Sequence, residues 1–292
     1  MLDGRETTLI QSKRRAGRYE LSVNGIPQSV VSMTDPTRLK YAYIRHIARA
    51  IDAAAVPGAP LFTVHLGAGA LTLARYVATT RPGSPQLVVE FDAALYEAVL
   101  TSLPLPPHSD VSVIFGDARE VADAQLPDAA SPATEEAAPA STGVATSSDW
   151  RNARFTVVDL WDAASIHRRV ASQEFYERVA ARSARDGIVV VNLLDGHPFE
   201  YSRRQAATLL TLFTHVAVVL DAHPGDEDGP LGNVLVFASD RPLDIAERPQ
   251  LLGTPQPHVV HGDALTRWLG EARIMTDADG TDSPDPDDPR WD

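Results

Sequence analysis

Residues 62–72 read Phe62-Thr63-Val64-His65-Leu66-Gly67-Ala68-Gly69-Ala70-Leu71-Thr72, and this stretch decides the fold. Its first five residues, mostly apolar and partly β-branched, read as a buried strand. The Gly-Ala-Gly that follows reads as a tight turn, and residues 72–78 as a helix. A glycine turn between a first strand and its helix lets the backbone approach a ligand closely and aims the helix's first N–H groups at it. The third position of the Gly-x-Gly-x-x-Gly pattern is Thr72, so the dinucleotide fingerprint is incomplete and the two glycines alone specify little.

Outward from this unit, the strand-then-helix rhythm repeats. Apolar runs occupy residues 61–66, 87–91, 111–115, 155–160, 188–194, 216–220 and 234–237. The intervals between the first five are long enough for helices, and runs nearly continuous in Val, Ile and Leu are strands buried on both faces of a parallel sheet. The last two runs are separated by a Gly-, Pro- and Asp-rich loop at 223–232, which implies an antiparallel hairpin at the sheet edge. The expected architecture is α/β, a Rossmann-like class I methyltransferase fold over residues 57–275. It has a seven-stranded, mostly parallel sheet with helices on both faces. Residues 1–56 read as an N-terminal element: a β-hairpin (19–23, the Asn24-Gly25 turn, 26–33), then a helix. Asp35 is placed as that helix's N-cap and Pro36 at its first position, with Leu39, Tyr43, Ile47, Ala50 and Ile51 at helical spacing to about residue 55. Residues 123–148, rich in Ala, Ser, Thr and Pro, read as a low-complexity surface insertion that has room for a short helix at 135–140.

Composition narrows the function. The formal net charge of -13 argues against nucleic-acid partners and anionic membrane surfaces. Residues 276–292 read as a disordered acidic tail, because from Asp277 onward there are seven Asp, three Pro and one Arg. The absence of cysteine excludes disulfides, Cys–zinc sites and thiol catalysis. Residues 1–20 carry no apolar core of a signal peptide, and no apolar run approaches a membrane helix, so a soluble, cytoplasmic protein is expected.

The next two strand ends sharpen the glycine signal. Val88-Val89-Glu90-Phe91-Asp92 places a carboxylate, Glu90, about twenty residues beyond the glycines, where it can accept both ribose hydroxyls of a nucleoside. Phe115-Gly116-Asp117-Ala118 places Asp117 beside the adenine, or, on the plainer reading, at the N-cap of the following helix. Gly67, Ala68, Gly69, Glu90, Phe91, Asp117 and Ala118 are therefore the candidate nucleoside-binding residues. At the fourth strand end, Val158-Asp159-Leu160-Trp161-Asp162 carries two aspartates three apart, Asp162 also reading as a helix N-cap.

Together these segments resemble the spermidine synthase-like branch of the polyamine aminopropyltransferases, over most of residues 25–277. The entry segment Asn24-Gly25-Ile26-Pro27-Gln28-Ser29 with Asp35, the loop from His65 to Leu73, the ribose and adenine segments, the paired aspartates and Thr276-Asp277 each look like the family's counterpart. The resemblance implies transfer of an aminopropyl group from decarboxylated S-adenosylmethionine to a small-molecule amine, in a homodimer. It implies Asp159 as base and Asp162 as a second amine ligand, with Gln28, Tyr41, Tyr43 and Trp161 around the acceptor. The chain departs from the family at the acceptor: no His-Glu pair follows Asp35, Lys40 and Arg45 flank the tyrosines, and Leu160-Trp161 replace small hydroxyl residues. A methyltransferase using intact S-adenosylmethionine and a non-catalytic nucleoside-binding relative are the alternatives.

No other site is indicated. His258 and His261 lack a second ligand pair, so no metal is expected. Asn192 ends the fifth run, on the ligand face, and Asp195-Gly196-His197-Pro198 reads as a polar loop beside it. No Gly-x-Ser-x-Gly elbow supports a hydrolase.

Overall fold

Residues 7–32 form a three-stranded antiparallel sheet of β1 (Thr7–Gln11), β2 (Arg18–Val23) and β3 (Ile26–Ser32). The chain is described by a computed structural model over residues 6–125, 143–162, 165–221, 223, 225 and 231–286. Asn24 and Gly25 both take positive φ, 50° and 80°, the backbone that a two-residue hairpin turn requires. The hairpin is as expected. β1 is an addition to it, paired along β2 from Thr7 opposite Val23 to Gln11 opposite Tyr19.

The first helix corrects the expected start. α1 spans Ala42–Ala54, and Tyr41 precedes it in extended backbone with no side-chain cap. Asp35 does not cap a helix. Its carboxylate accepts from the Thr37 N–H (3.1 Å), the Thr37 hydroxyl (2.6 Å) and Arg38 Nε (2.9 Å), a local turn that competes with helix.

The main domain then alternates: β4 (Thr63–Leu66), α2 (Thr72–Thr80), β5 (Pro85–Glu90), α3 (Ala93–Ser102), β6 (Asp110–Phe115), α4 (Ala118–Asp123), β7 (Ala153–Val158), α5 (Gln173–Arg182), β8 (Ser183–Asp195), α6 (Glu200–Leu210) and β9 (His215–Leu220). After these come β10 (Gly232–Ser239), α7 (Asp244–Glu247), β11 (His258–His261) and α8 (Gly262–Leu269). The sheet order is β11-β9-β10-β8-β7-β4-β5-β6. β6, β5, β4, β7 and β8 are mutually parallel, and β10 runs antiparallel between β8 and β9. This is the Rossmann-like class I methyltransferase arrangement, with eight strands in place of the seven expected. The eighth, His258-Val259-Val260-His261, is too short to announce itself and pairs antiparallel along the edge of β9.

Period-two alternation distributes the core over both faces. Val158, Val191 and Val218 point into the layer that holds Phe175, Val179, Ala206 and Leu265 of α5, α6 and α8. Val157, Val190 and Val219 point the other way, toward Ile47, Ile51 and Val77 of α1 and α2. Every strand from β4 to β9 is thus covered twice, and the ends of its parallel members are left to build a cleft.

The acidic segment was expected to be disordered from residue 276, yet its described part, to residue 286, is pinned. Asp277 receives both terminal nitrogens of Arg119 at 2.8 Å and the Ser172 hydroxyl at 2.6 Å, and the Ser283 side chain accepts from the Ile166 N–H at 2.9 Å. Its charge is matched to fixed partners, a feature that composition does not reveal. Of the expected insertion, residues 126–142 lie outside the described residues, including the stretch 135–140. The returning chain bonds the outer edge of β6, where Val113 N–H donates to Gly143 O and Ala145 N–H to Val113 O. Among the described residues, no helix is long and apolar enough to cross a membrane.

Buried arginines join the layers. Arg81, 1% exposed, donates to the carbonyls of Ile51, Asp52, Ala55, Val56 and Ala59 at the end of α1. Replacing Arg81 by Leu would strand these acceptors in a dry site. The expected cost is about 2–3 kcal/mol, read as a lowered denaturation midpoint with unchanged slope.

Candidate functional site

The cleft forms where the β4 chain leaves the sheet. Gly67 takes φ +90°, and a Cβ on it would lie 2.3 Å from the Asp159 carbonyl oxygen, so only glycine admits the β7 exit at this distance. Gly67 N–H donates to Val89 O (2.9 Å) and Asp159 N–H to Leu66 O (3.0 Å), which ties the ends of β5, β4 and β7 into one rim. Gly69, at φ +48°, packs against Ser29, whose hydroxyl accepts the Ala70 N–H at 3.2 Å. The N-terminal sheet is thereby fastened over the glycine turn, and α2 begins directly behind it.

A single cavity of about 710 Å³ runs along this rim. Its lining includes all the residues read as candidates from the sequence: Gly67, Ala68 and Gly69; Glu90 and Phe91; Asp117 and Ala118; Asp159, Trp161 and Asp162; Gln28, Tyr41 and Tyr43. The hairpin, the residues flanking the start of α1 and four parallel strand ends therefore converge on one space.

At its β5 end, Glu90 is buried and each of its carboxylate oxygens accepts one backbone N–H at 2.9 Å, from Ala68 and from Asp92. Burial pushes the Glu90 carboxyl upward, and these N–H groups pull it back down. Each oxygen keeps acceptor capacity for one more donor, as a ribose diol requires. Phe91 beside it is 55% exposed and adds an apolar side chain to the lining. Asp117 takes the plainer of the two readings offered for it, as an N-cap. Its Oδ1 caps α4 through Arg119 and Glu120 N–H, while Oδ2 lies 3.3 Å from Arg169 Nη1 at the cavity wall.

At the β7 end, Asp159 is held on one side only. Its Oδ1 accepts from Trp161 Nε1 and from Asn192 Nδ2, each at 2.8 Å, and Asn192 Oδ1 in turn accepts from Asn233 Nδ2 at 3.1 Å. Burial pushes the Asp159 carboxyl above its ordinary range, and the Asn192 and Trp161 hydrogen bonds, which favour the anion, oppose that rise. Burial first, and then the same charge, push the Tyr43 hydroxyl up. Trp161 lines the cavity with its N–H spent on the carboxylate.

Asp162 does not cap a helix. Its backbone bridges Ser165 and its carboxylate stands 3.2 Å from His167 Nε2. Lys40 and Arg45 are absent from the lining; Lys40 pairs with Glu20 at 3.0 Å and lies over the Tyr41 ring, 5.1 Å from its centre. Asp195, expected in the polar loop, is instead the last residue of β8, and its carboxylate accepts from the Gly196 N–H and from the Ser202 N–H in the first turn of α6. Asn192 does reach the cavity, as strand-end position suggested. Ser29, His167, Arg169, Leu194 and Asn233 also line it and were not singled out from sequence. Only Asn233 carried a usable signal, as the polar residue opening the β10 run. Among the described residues, no cluster of three or more metal-ligating side chains occurs.

No family model and no curated protein matches the chain by sequence. Its structure is similar to that of a probable spermidine synthase from Corynebacterium glutamicum ATCC 13032, with a TM-score of 0.77, 24% identity and 94% of each chain covered. The chain has the spermidine synthase fold. It is similar, too, to a spermidine synthase in complex with the transition state analogue AdoDATO (TM-score 0.53) and to the spermidine synthase from Thermotoga maritima (TM-score 0.51). Each of these two is 13% identical, covering 87% of this chain and 77% of the other.

The glycine turn yields a direct test. Gly67→Ala introduces both a left-handed non-glycine residue and a backbone clash. It should lower stability by about 1–3 kcal/mol and weaken nucleoside binding, measured by chemical denaturation and calorimetry.

Proposed function

We propose that the protein transfers an aminopropyl group from decarboxylated S-adenosylmethionine to an amine. One observation carries this reading: Glu90 and Asp159 open onto the same cavity, on either side of the Gly67 turn. A nucleoside held at Glu90 directs its sulfur-bearing arm across the turn toward Asp159. The charge balance of the cavity supports a cationic donor and a cationic acceptor. Its described lining carries five carboxylates (Glu90, Asp92, Asp117, Asp159 and Asp162), while its one arginine, Arg169, is paired with Asp117. His65 is neutral, pushed down to about 4 by burial. The glycine turn thus offers N–H groups but no fixed cation to a donor, which favours one without a methionyl carboxylate.

The chemistry follows from the acceptor's protonation. An alkylammonium has no lone pair at neutral pH. Asp159, ionised, binds the ammonium through the oxygen not occupied by Trp161 and Asn192 and takes one proton. The freed nitrogen lone pair forms the new C–N bond to the methylene carbon on sulfur. The C–S bond breaks, and its electron pair neutralises the sulfonium, leaving methylthioadenosine. Alignment of nitrogen, carbon and sulfur along the rim supplies the rest of the acceleration. Asp162, paired with His167, steadies the rim beside this step.

Asp159→Asn should reduce turnover about a thousandfold while leaving methylthioadenosine affinity within about threefold. Unchanged turnover removes Asp159 from the mechanism. The pH profile adds a second check. Burial raises the Asp159 pKa, so the ionised base is lost as pH falls through a value above the ordinary aspartate range, and the acid limb of kcat/KM should lie there. Asn192→Leu removes a bond that favours the anion and should move that limb to higher pH.

A further inference from the structure

The cavity continues beyond Asp159, and its character changes there. In sheet order, the strand ends that line it carry Asp117 on β6, Glu90 on β5, Gly67 on β4, Asp159 on β7, Asn192 and Leu194 on β8, and Asn233 on β10. Neighbouring strands stand roughly 4.8 Å apart, so β8 and β10 extend the space by about 10 Å past Asp159. No carboxylate of the described lining stands on that side: Asp195, at the end of β8, is turned to the Gly196 and Ser202 N–H groups, and Asp221, past β9, to His46 Nε2 at 2.9 Å. Glu90, Asp92 and Asp117 belong to the opposite, nucleoside end, and Asp162 already faces His167 at 3.2 Å.

Among the described residues, what lines the far side is neutral. Asn192 and Asn233 are amides committed in series to holding Asp159. Leu194 stands between them, cross-strand from Asn233. On the α1 side stand Tyr41, Tyr43 and Ile44, the two tyrosine rings stacked with centres 6.1 Å apart. One face of Tyr41 is taken by Lys40 and is closed to another cation.

A ligand that fits this compartment carries one positive charge, at Asp159, and nothing charged beyond it. A second ammonium would be taken out of water with only amide oxygens and aromatic edges to meet it, which leaves an unpaired charge in a confined site. Building on the aminopropyl-transfer reading, we propose that the acceptor is a primary monoamine with an apolar or aromatic body, and not an α,ω-diamine. Specificity for it lies in the stretch formed by Leu194, Asn233, Tyr41 and Tyr43.

The test uses the full chain and calorimetry at neutral pH. Methylthioadenosine alone is titrated first, which examines the nucleoside site independently of the acceptor. Pentylamine and phenethylamine are then compared with the α,ω-diamine of pentane, each with and without methylthioadenosine. The monoamines should bind about tenfold tighter or better than the diamine. Leu194→Asp, which places a carboxylate in the far compartment, should narrow or reverse the preference. In turnover with the decarboxylated donor, the same order should appear in kcat/KM. Equal or tighter binding of the diamine by the unaltered protein overturns the proposal, as does failure of every amine to bind in both conditions. A monoamine preference without methylthioadenosine binding upholds the acceptor assignment and removes the donor reading instead.

Discussion

The close passage of two backbones at Gly67 is the constraint from which the site follows. The β4 exit must run within contact of the Asp159 carbonyl, and it can do so only because no side chain stands in between. That approach lets one turn serve two carboxylates. Ala68 N–H, in the turn itself, anchors Glu90, while the hydrogen bond from Asp159 N–H to Leu66 O sets the height of the β7 exit. Separate the two chains by the width of a methyl group and both carboxylates lose their common frame. The hairpin depends on the same turn, since Ser29 packs against Gly69 and accepts from Ala70.

The treatment of charge is consistent with a site kept negative for a cationic ligand. Glu90 is stabilised by backbone N–H groups and Asp159 by an indole and an amide, none of which carries charge. Neutral donors lower the cost of a buried anion without cancelling its field. The arginines are employed elsewhere. Arg81 closes α1, Arg182 reaches carbonyls between α4 and β7, and Arg119 fastens the C-terminal segment to the start of α4. Asp277, distant in sequence, thus reinforces the helix whose N-cap is Asp117.

Much of this was legible beforehand because it is local. Strands buried on both faces must be apolar throughout, and a turn that leaves the sheet at a tip must be glycine-rich, so the five parallel strands and their carboxylate ends could be read in order. Asn24-Gly25 marked its hairpin for the same reason. The misreadings are equally physical. Asp35 is an apt helix cap by type, yet its carboxylate is captured by Thr37 and Arg38 before a helix starts. Four residues, His258 to His261, make a strand only because the β9 edge is there to pair with. The acidic stretch looked unattached because its partners, Arg119, Ser172 and Ile166, lie more than a hundred residues away.

By itself, the sequence determined the strand order's raw material, the glycine turn and the positions of Glu90, Asp117 and Asp159, since each is set by its own neighbours along the chain. The tertiary structure alone decided what each of these groups faces. Asn192 reaches Asp159, and Asn233 reaches Asn192, through cross-strand register, over separations of 33 and 41 residues. Tyr41 and Tyr43 reach the cavity because α1 begins late. A side chain's partners follow from which elements pack together, and packing is a property of the whole core, which no short window of residues contains.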